Sequence, residues 1–459
     1  MENESVQLVF IPWPVMGHVQ IVEFAKLIIH RQSLLSPDAH GGSYADSLSS
    51  SSSTPGLNFF HLPSTDPTPE WSSRTRGYFI HNLVLSQKPN IAGFLRSCGP
   101  SLTAVVVDML CTSMIDVAEE CGTPAYVFFT SPASFLGAML HCQTLQDEQN
   151  IDVPGLKNSD TDLEIPSFAR PVPPNVMSLV LVDERQWLDR FLHYARDYRK
   201  AKGIIVNTCV ELETHALTSF LQDPTIPPVY PVGPILNRGP SSEVLGWLHD
   251  QPPCSVVFVC FGSQGSLDED QVRQLATGIE RSGKRFLWAL RRQAQSRVGF
   301  PIDYTSYDDV LPEGFLDRTS QTGRVVGWVS QLDALSHPAV GGFVSHCGWN
   351  SVLESVWCGV PIATWPLHAE QQMNAFQLVK ELGLAVEITL SYCERSGDGE
   401  MVAAEVIERG IREVMESGSE VRERVREMRE KSRASVREGG SSFASLNRFI
   451  DCLMSGVSE

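Results

Sequence analysis

A polar turn, from His346 to Ser351, lies between a predicted strand and a predicted helix. The first turn of a helix exposes backbone N–H groups and about half a positive charge, which a diphosphate requires. Gly348 carries no side chain that would keep a phosphate from the backbone, and Asn350 and Ser351 add hydrogen-bond donors. Glu354 lies one helical turn further on the same face, where a carboxylate suits a ribose diol. Structural roles stay open, because Asn350 or Ser351 could cap the helix and His346 could be a core residue.

Two segments beside this turn carry groups that could hold a nucleoside and a sugar. Trp328, predicted at the end of a strand, is either a core residue or a flat platform for a nucleobase. Glu370 and Gln371 follow a proline-containing loop and precede a helix, and their oxygens and amide suit sugar hydroxyls. The pair could equally cap that helix or lie in an exposed loop.

A second constellation combines His18 with Asp108. Each follows an apolar run, so both are expected at the carboxyl ends of parallel strands, where open α/β sheets place their sites. A neutral imidazole can take a proton from a hydroxyl, and a buried carboxylate fixes its tautomer and stabilises the imidazolium. From the residues alone, a capping or core role for either is the better interpretation.

The run Asp268-Glu269-Asp270 superficially matches a D-x-D metal-binding pattern. Ser266 followed by Glu269 instead predicts a capping box at the start of a helix, with the acidic residues complementing the helix dipole. We therefore expect no metal at this run, and a diphosphate held by a helix N-terminus and amides needs none.

The elements that must position these residues are short β-branched runs separated by helix-period patterns. Several runs are apolar on both faces, which is typical of parallel strands covered by helices on each side. The predicted strands are Val6–Ile11, Ala104–Val107, Ala125–Phe129, Ile204–Asn207, Val256–Cys260, Phe286–Leu290, Val325–Trp328, Phe343–Ser345, Ile362–Trp365 and Ala385–Ile388. The pattern predicts an α/β protein with two doubly wound domains, divided in the proline-rich stretch 227–243.

Composition restricts the class of protein. The 459 residues include 36 Lys and Arg against 54 Asp and Glu, a formal charge of −18, which repels nucleic acid and anionic membranes and argues against either as a partner. The 11 cysteines are scattered without zinc-ligand spacing and are interpreted as buried thiols of a reducing compartment. The acidic start is unlike a secretory signal, and no apolar run reaches the length of a membrane span. A cytoplasmic protein is expected.

The stretch from Trp328 to Gln371 resembles the 44-residue signature box of plant family 1 UDP-sugar-dependent glycosyltransferases, without gaps. The similarity extends to IPWPVMGH, VVVDMLCTSMIDVA, GIIVNT, YPVGP and VVFVCFGS. The resemblance implies a GT-B fold, with two Rossmann-like domains facing each other across a cleft. It implies an acceptor-binding domain at 1–234, a linker at 235–241, a UDP-sugar-binding domain at 242–441 and a last helix at 442–459 that crosses back.

The resemblance also implies roles for the residues singled out above. Uracil is assigned to Trp328 and the Val329 backbone, the ribose to Gln331 and Glu354, the diphosphate to Ser263, His346, Asn350 and Ser351, and the sugar to Trp349, Glu370 and Gln371. His18 would be the base and Asp108 its partner in an inverting transfer from UDP-glucose. The acceptor would be a small hydrophobic flavonoid, phenylpropanoid or terpenoid, and the enzyme a monomer without metal or other cofactor.

Three departures from the family pattern stand out. The stretch between Ile29 and Phe59 lacks a β-branched run for the usual second strand, His368 replaces a common aromatic phenol, and Gln20 replaces a common proline. Two other classes of protein share part of this sequence pattern. A dehydrogenase is disfavoured because no G-x-G-x-x-G follows a strand. A non-catalytic UDP-sugar-binding protein would share the box but has no need of His18 and Asp108.

Overall fold

The computed structural model describes residues 6–14, 18, 20–35, 55–68, 70–71, 75–183, 187–236, 245–293, 301–391 and 401–455. Most of the serine-rich tract and most of the predicted linker lie outside these ranges. So do residues 36–54, which include most of the stretch where a second strand was in doubt.

The strands follow the β-branched runs. They are β1 (Gln7–Ile11), β2 (Leu102–Asp108), β3 (Ala125–Phe129), β4 (Gly203–Val206), β5 (Val229–Pro231), β6 (Val256–Cys260), β7 (Arg285–Ala289), β8 (Arg291–Arg292), β9 (Ile302–Asp303), β10 (Gly323–Val326), β11 (Val340–Ser345), β12 (Ile362–Thr364) and β13 (Ala385–Glu387). Every predicted strand coincides with an observed one, displaced by a few residues at most. One correction concerns Trp328, which lies in the loop after β10 and not in the strand.

The α-helices occupy the intervals between these strands. They are α1 (Gln20–Leu35), α2 (Arg76–Ser86), α3 (Lys88–Cys98), α4 (Ser113–Glu120), α5 (Ala133–Asp147), α6 (Leu179–Val182), α7 (Leu188–Lys200), α8 (Thr214–Ser219), α9 (Leu245–His249), α10 (Glu269–Ser282), α11 (Phe315–Thr319), α12 (Gln331–Ser336), α13 (Trp349–Cys358), α14 (Gln371–Phe376), α15 (Ala404–Val414), α16 (Glu420–Ser435) and α17 (Ser441–Ser455). A π-helical turn, Gln377–Glu381, continues α14.

The chain forms two compact units. The first comprises Met1–Ala133, His193–Arg238 and Ser435–Glu459, and the second comprises Ser134–Leu192 and Gly239–Ala434. The predicted end of the acceptor-binding domain at residue 234 and the predicted start of the UDP-sugar-binding domain at residue 242 remain predictions.

The first unit is built on a parallel sheet of order β1-β2-β3-β4-β5. Within the described residues, β1 pairs with β2 alone and forms one edge of this sheet. The core on one face is aromatic: Phe24 of α1 stacks on Phe128 with ring centroids 5.1 Å apart, and Phe449 of α17 contacts both Phe24 and Tyr126. Burial of each such ring contributes about 1.5–3 kcal/mol, which holds the last helix against the first sheet.

The second unit is built on a parallel sheet of order β10-β7-β6-β11-β12-β13, beside the antiparallel pair β8-β9. Its central strands β6 and β11 are buried along their whole length. Parallel strands deliver their carboxyl ends to one edge, so the turns after β6 and β11 lie side by side. That edge carries the polar turn from His346 to Ser351.

Candidate active site

His18 and Asp108 are in contact in the first unit. Asp108 is the last residue of β2, and His18 lies between β1 and α1. Nδ1 of His18 is 2.7 Å from Oδ2 of Asp108; the histidine side chain is 18% exposed and the carboxylate is fully buried. The other carboxylate oxygen accepts the Leu110 N–H at 2.9 Å, so both oxygens of this buried charge are hydrogen-bonded.

This contact defines the chemistry open to the pair. When Nδ1–H of the neutral ring donates to Asp108, the lone pair of the imidazole is on Nε2. The carboxylate also stabilises the positive charge that the ring acquires with a proton. The pair is therefore equipped to take a proton from a hydroxyl through Nε2.

Thr130 is a neighbour of the dyad that the sequence analysis missed. It directly follows β3, and its buried hydroxyl lies 3.3 Å from His18 Nδ1 and 3.3 Å from the Met109 sulfur, to which it donates. Its position at the carboxyl end of the strand next to β2 was the signal that could have found it.

A cavity of about 760 Å³ runs along the outer edge of β1 in the same unit. Its lining is largely apolar and includes Ile11, Val84, Ile91, Phe94 and Cys111, but neither His18 nor Asp108. A concave, mostly apolar space of this volume is typical of small-molecule sites.

The polar turn of the second unit starts where β11 ends and leads directly into α13. Cys347 has a positive φ of 61°, its N–H donates to the Ser345 hydroxyl, and its carbonyl accepts from the Asn374 amide at 2.9 Å. Gly348 is the N-cap residue of α13 and has no side chain with which to cap the helix. The turn therefore presents the positive end of a ten-residue helix.

His346 lies between two glycines at this turn. A Cβ at Gly262 would come within 2.7 Å of its ring, and one at Gly348 within 2.5 Å of Nε2. Burial lowers the pKa of His346 to about 4, so the ring is neutral near pH 7. Its buried Nδ1 has no hydrogen-bond partner among the residues that the structure describes. A neutral imidazole beside a helix N-terminus can donate one hydrogen bond to an anion without adding charge.

Gln331, Ser351 and Glu354 form a hydrogen-bonded corner next to the turn. The Gln331 amide donates to Oε2 of Glu354 at 2.7 Å and lies 2.9 Å from the Ser351 hydroxyl. Burial, opposed by the Gln331 hydrogen bond, raises the pKa of Glu354 to about 7. The structure thus brings the two residues predicted for a ribose into direct contact.

This raised pKa makes nucleoside binding dependent on pH. Below pH 7 Glu354 is largely protonated, and above it the ionised carboxylate is the stronger acceptor for ribose hydroxyls. We expect uridine affinity to rise about fivefold between pH 6 and pH 8, and Glu354→Gln to remove that rise. Competition binding of uridine, which has no phosphate of its own to titrate, measures this; an equal rise in the variant would contradict the assignment.

The residues predicted to bind uracil lie just before the corner formed by Gln331, Ser351 and Glu354. Trp328 is 43% exposed, unusual for a tryptophan, and offers its ring as a platform. Val329 and Ser330 are buried, and the Ser330 hydroxyl has no partner within the described ranges.

The predicted sugar-binding residues differ in how far they are already engaged. Trp349 is buried, and Glu370 is partly buried at the N-cap of α14. The Gln371 side-chain carbonyl accepts the N–H groups of Leu367 and His368 at 2.9 and 3.0 Å. Its amide, 3.5 Å from His368 Nε2, is therefore the part of Gln371 left for a sugar hydroxyl.

Ser263 lies exposed in the turn after β6, next to Gly262. Its carbonyl oxygen accepts from Arg291, whose Nε also contacts the Asp303 carboxylate at 3.2 Å. Arg291 lies on β8, and neither this residue nor this strand was predicted from the sequence.

The acidic run at the start of α10 is engaged within its own helix, with one correction to the prediction. The N-cap is Asp268, whose carboxylate accepts the Gln271 N–H at 2.8 Å, and not Ser266. Asp270 and Glu269 both pair with Arg273. Over the described residues, no group of three or more His, Cys, Asp or Glu side chains is arranged to hold a metal ion.

Two predictions about the whole chain can be compared with the structure. None of the helices that it describes is both long and apolar enough to cross a membrane. The ten cysteines in the described ranges are free thiols; five are buried, but Cys254 is exposed, contrary to expectation.

Comparison with known proteins extends these observations. The family model described as UDP-glucoronosyl and UDP-glucosyl transferase matches residues 184–410. A relative from Fragaria ananassa, UDP-glucose flavonoid 3-O-glucosyltransferase 6, is 48% identical over 98% of this chain and 99% of its own. UDP-glycosyltransferase 71E1 of Stevia rebaudiana is 47% identical over 97% of this chain and 98% of its own.

Solved structures agree with the sequence relatives. A glycosyltransferase from Siraitia grosvenorii in complex with UDP has a TM-score of 0.85 and 42% identity, covering 98% of this chain and 100% of that one. A Medicago truncatula enzyme complexed with UDP-glucose has a TM-score of 0.84 and 35% identity, covering 98% and 99%.

The chain has two α/β units, each built on a parallel sheet, and the two solved structures match it with TM-scores of 0.85 and 0.84. It is therefore a glycosyltransferase of the GT-B fold. The chain belongs to the plant UDP-glycosyltransferase family. The predicted fold class, family and enzyme class are confirmed. The roles of individual residues stay predictions.

Proposed function

We propose that this enzyme transfers glucose from UDP-glucose to a hydroxyl of a small hydrophobic plant metabolite, with inversion at the anomeric carbon. The observation that carries the proposal is the 2.7 Å contact between His18 Nδ1 and the buried Asp108 carboxylate. In this enzyme class a hydroxyl must lose a proton as it attacks, and the dyad is built for that step.

The proposed reaction is a single displacement. The acceptor O–H proton passes to Nε2 of His18, and the oxygen forms a bond to the anomeric carbon. The bond between that carbon and the diphosphate oxygen breaks, and its electron pair leaves with UDP. Attack opposite the leaving group inverts the anomeric configuration, and the proton on the imidazolium is stabilised by Asp108 until solvent removes it.

The leaving group is held by the turn before α13 in this proposal. The helix N-terminus and the neutral His346 ring provide donors where negative charge increases as UDP departs, which favours the transition state. The acidic run at α10 is already engaged by Gln271 and Arg273, so we propose that transfer needs no metal.

Glucose is the proposed sugar. The Fragaria relative is named a glucosyltransferase, and the Medicago structure contains UDP-glucose. Glu370 and the amide of Gln371 offer an acceptor and a donor suited to adjacent sugar hydroxyls.

The acceptor class is inferred from the first unit. This unit contains the largely apolar cavity of about 760 Å³, whose volume suits a flavonoid, phenylpropanoid or terpenoid but whose lining does not include His18. The Fragaria relative is named for a flavonoid acceptor.

One assay tests donor, acceptor and metal dependence together. UDP release is measured with UDP-glucose and with UDP-galactose, against a panel of phenolic and terpenoid acceptors, with and without EDTA. We expect release that depends on acceptor, prefers UDP-glucose and is unchanged by EDTA. Equal rates with both donors would reject glucose specificity, and loss of activity in EDTA would reject the metal-independent reaction.

A further inference from the structure

α7 carries a fully buried carboxylate with no part in the reaction described above. Asp197 accepts the Thr112 hydroxyl at 2.7 Å through Oδ2 and the Lys200 ammonium at 2.9 Å through Oδ1. His193, on the same helix, lies 3.4 Å from Oδ2, and Lys200 also reaches Asp116 of α4. A buried charge with this set of partners holds its neighbours in fixed positions, because breaking any contact leaves the charge less satisfied.

The next residue on α7 makes a second contact of the same kind. The Tyr198 hydroxyl, also fully buried, donates to the Met109 carbonyl oxygen at 2.9 Å. Burial raises the pKa of Tyr198 well above its usual value, so the hydroxyl keeps its proton and remains a donor. The ring is fixed edge-on against Phe129, with centroids 5.7 Å apart.

Both contacts fall on the turn formed by residues 108–112. Tyr198 holds this turn at Met109, Asp197 holds it at Thr112, and between them the Leu110 N–H donates to Oδ1 of Asp108. The Cys111 N–H closes the turn onto the Asp108 carbonyl at 2.8 Å. The backbone that orients the Asp108 carboxylate is therefore fixed from α7 at both ends.

We propose that Asp197 and Tyr198 are positioning residues for the dyad. By fixing the 108–112 turn they aim Oδ2 of Asp108 at Nδ1 of His18, and so hold the imidazole in the tautomer that leaves Nε2 as the proton acceptor. An effect of these residues on catalysis rests on the proposed function. Their effect on the geometry of Asp108 and the tautomer of His18, the geometric claim, does not.

The geometric claim is tested by measuring the tautomer of the His18 imidazole directly. In protein labelled with ¹⁵N at histidine, the nitrogen shifts of a neutral ring report the ratio of the Nδ1–H to the Nε2–H tautomer. Spectra are recorded at pH 8.5 on the full chain, and His18→Ala identifies the His18 signals. This measurement requires no acceptor.

Tyr198→Phe is the principal variant, and Tyr194→Phe is its matched control. Tyr194 is a buried tyrosine on the same helix, and its hydroxyl contacts His81 at 3.0 Å. We expect Tyr198→Phe to lower the His18 tautomer ratio about fivefold, the effect of losing one buried hydrogen bond, and Tyr194→Phe to leave it unchanged. An unchanged ratio in Tyr198→Phe, or an equal fall in both variants, would overturn the proposal.

A second pair of variants tests the Asp197 contact and covers the case in which Tyr198→Phe does not fold. Thr112→Val removes the hydroxyl that donates to Asp197, and Thr112→Ser retains it. The ratio should fall in the valine variant and be restored in the serine variant; equal ratios in the two would reject the role of Asp197.

Kinetics then separate this proposal from the proposed function. With UDP-glucose and 4-methoxyphenol as substrates, the variants that lower the tautomer ratio should lower kcat about tenfold and leave KM for UDP-glucose unchanged. If His18→Ala retains full activity, the proposed function fails, while the tautomer ratios still decide whether α7 positions the ring.

Discussion

Replacing His18 by alanine is expected to lower kcat by about 10² to 10⁴ with an acceptor whose hydroxyl is weakly acidic. The oxygen of such an acceptor attacks only as its proton is taken, and the Nε2 lone pair opposite the Asp108 contact is the proposed base. With 4-nitrophenol, which is largely ionised above neutral pH, the loss should be much smaller. UDP release at saturating UDP-glucose measures both rates.

The ratio of the two losses separates chemistry from folding. A variant that is merely less stable loses the same fraction of activity with both acceptors. His215→Ala, which replaces an exposed histidine of α8 in the same unit, should leave both rates unchanged. Equal losses with the two acceptors in His18→Ala would remove the general-base role.

The second large effect is expected from Gly348→Ala in the donor site. The added Cβ would lie 2.5 Å from Nε2 of His346, a ring that Gly262 already confines on another side. Either the ring moves or the turn before α13 deforms, and in both cases donors are withdrawn from the diphosphate. Losing two charge-assisted hydrogen bonds corresponds to about a 100-fold fall in UDP affinity. Isothermal titration calorimetry with UDP measures this fall.

A matched glycine provides the control. Gly246 of α9 lies in the same unit, and a Cβ there would meet nothing within 4 Å. Gly246→Ala should bind UDP with unchanged affinity. If Gly348→Ala also binds UDP normally, the diphosphate does not lie against this turn. A loss for UDP with uridine affinity preserved would locate the effect at the phosphates.

The expectation of parallel strands was sufficient to predict where the candidate site residues lie. His18 and Asp108 are 90 positions apart, yet His18 follows β1 and Asp108 ends β2 in one parallel sheet, and the carboxyl ends of such strands meet at one edge. The same reasoning places the Gly262 turn beside His346, because β6 and β11 pair directly. Thr130 follows the same rule, but a single threonine after a strand is too common a pattern to single out.

Other parts of the site depend on contacts that no local pattern encodes. Asp268 caps α10 although Ser266 and Glu269 match a capping box, because the chain enters the helix two residues later than that spacing predicts. The side-chain carbonyl of Gln371 accepts hydrogen bonds from the loop before it, where the positive φ of Ala369 turns the backbone. The link from α7 to the 108–112 turn joins residues 85 or more positions apart, so it becomes visible only in the folded chain.

The configuration of the product tests the central claim most directly. UDP-glucose carries its sugar in the α configuration, and a single displacement by an oxygen that His18 deprotonates must yield the β-glucoside. The proton NMR coupling constant at the anomeric carbon of the isolated product distinguishes the two anomers. We expect the large coupling of a β-glucoside; an α-linked product would contradict direct displacement and require a different role for the dyad.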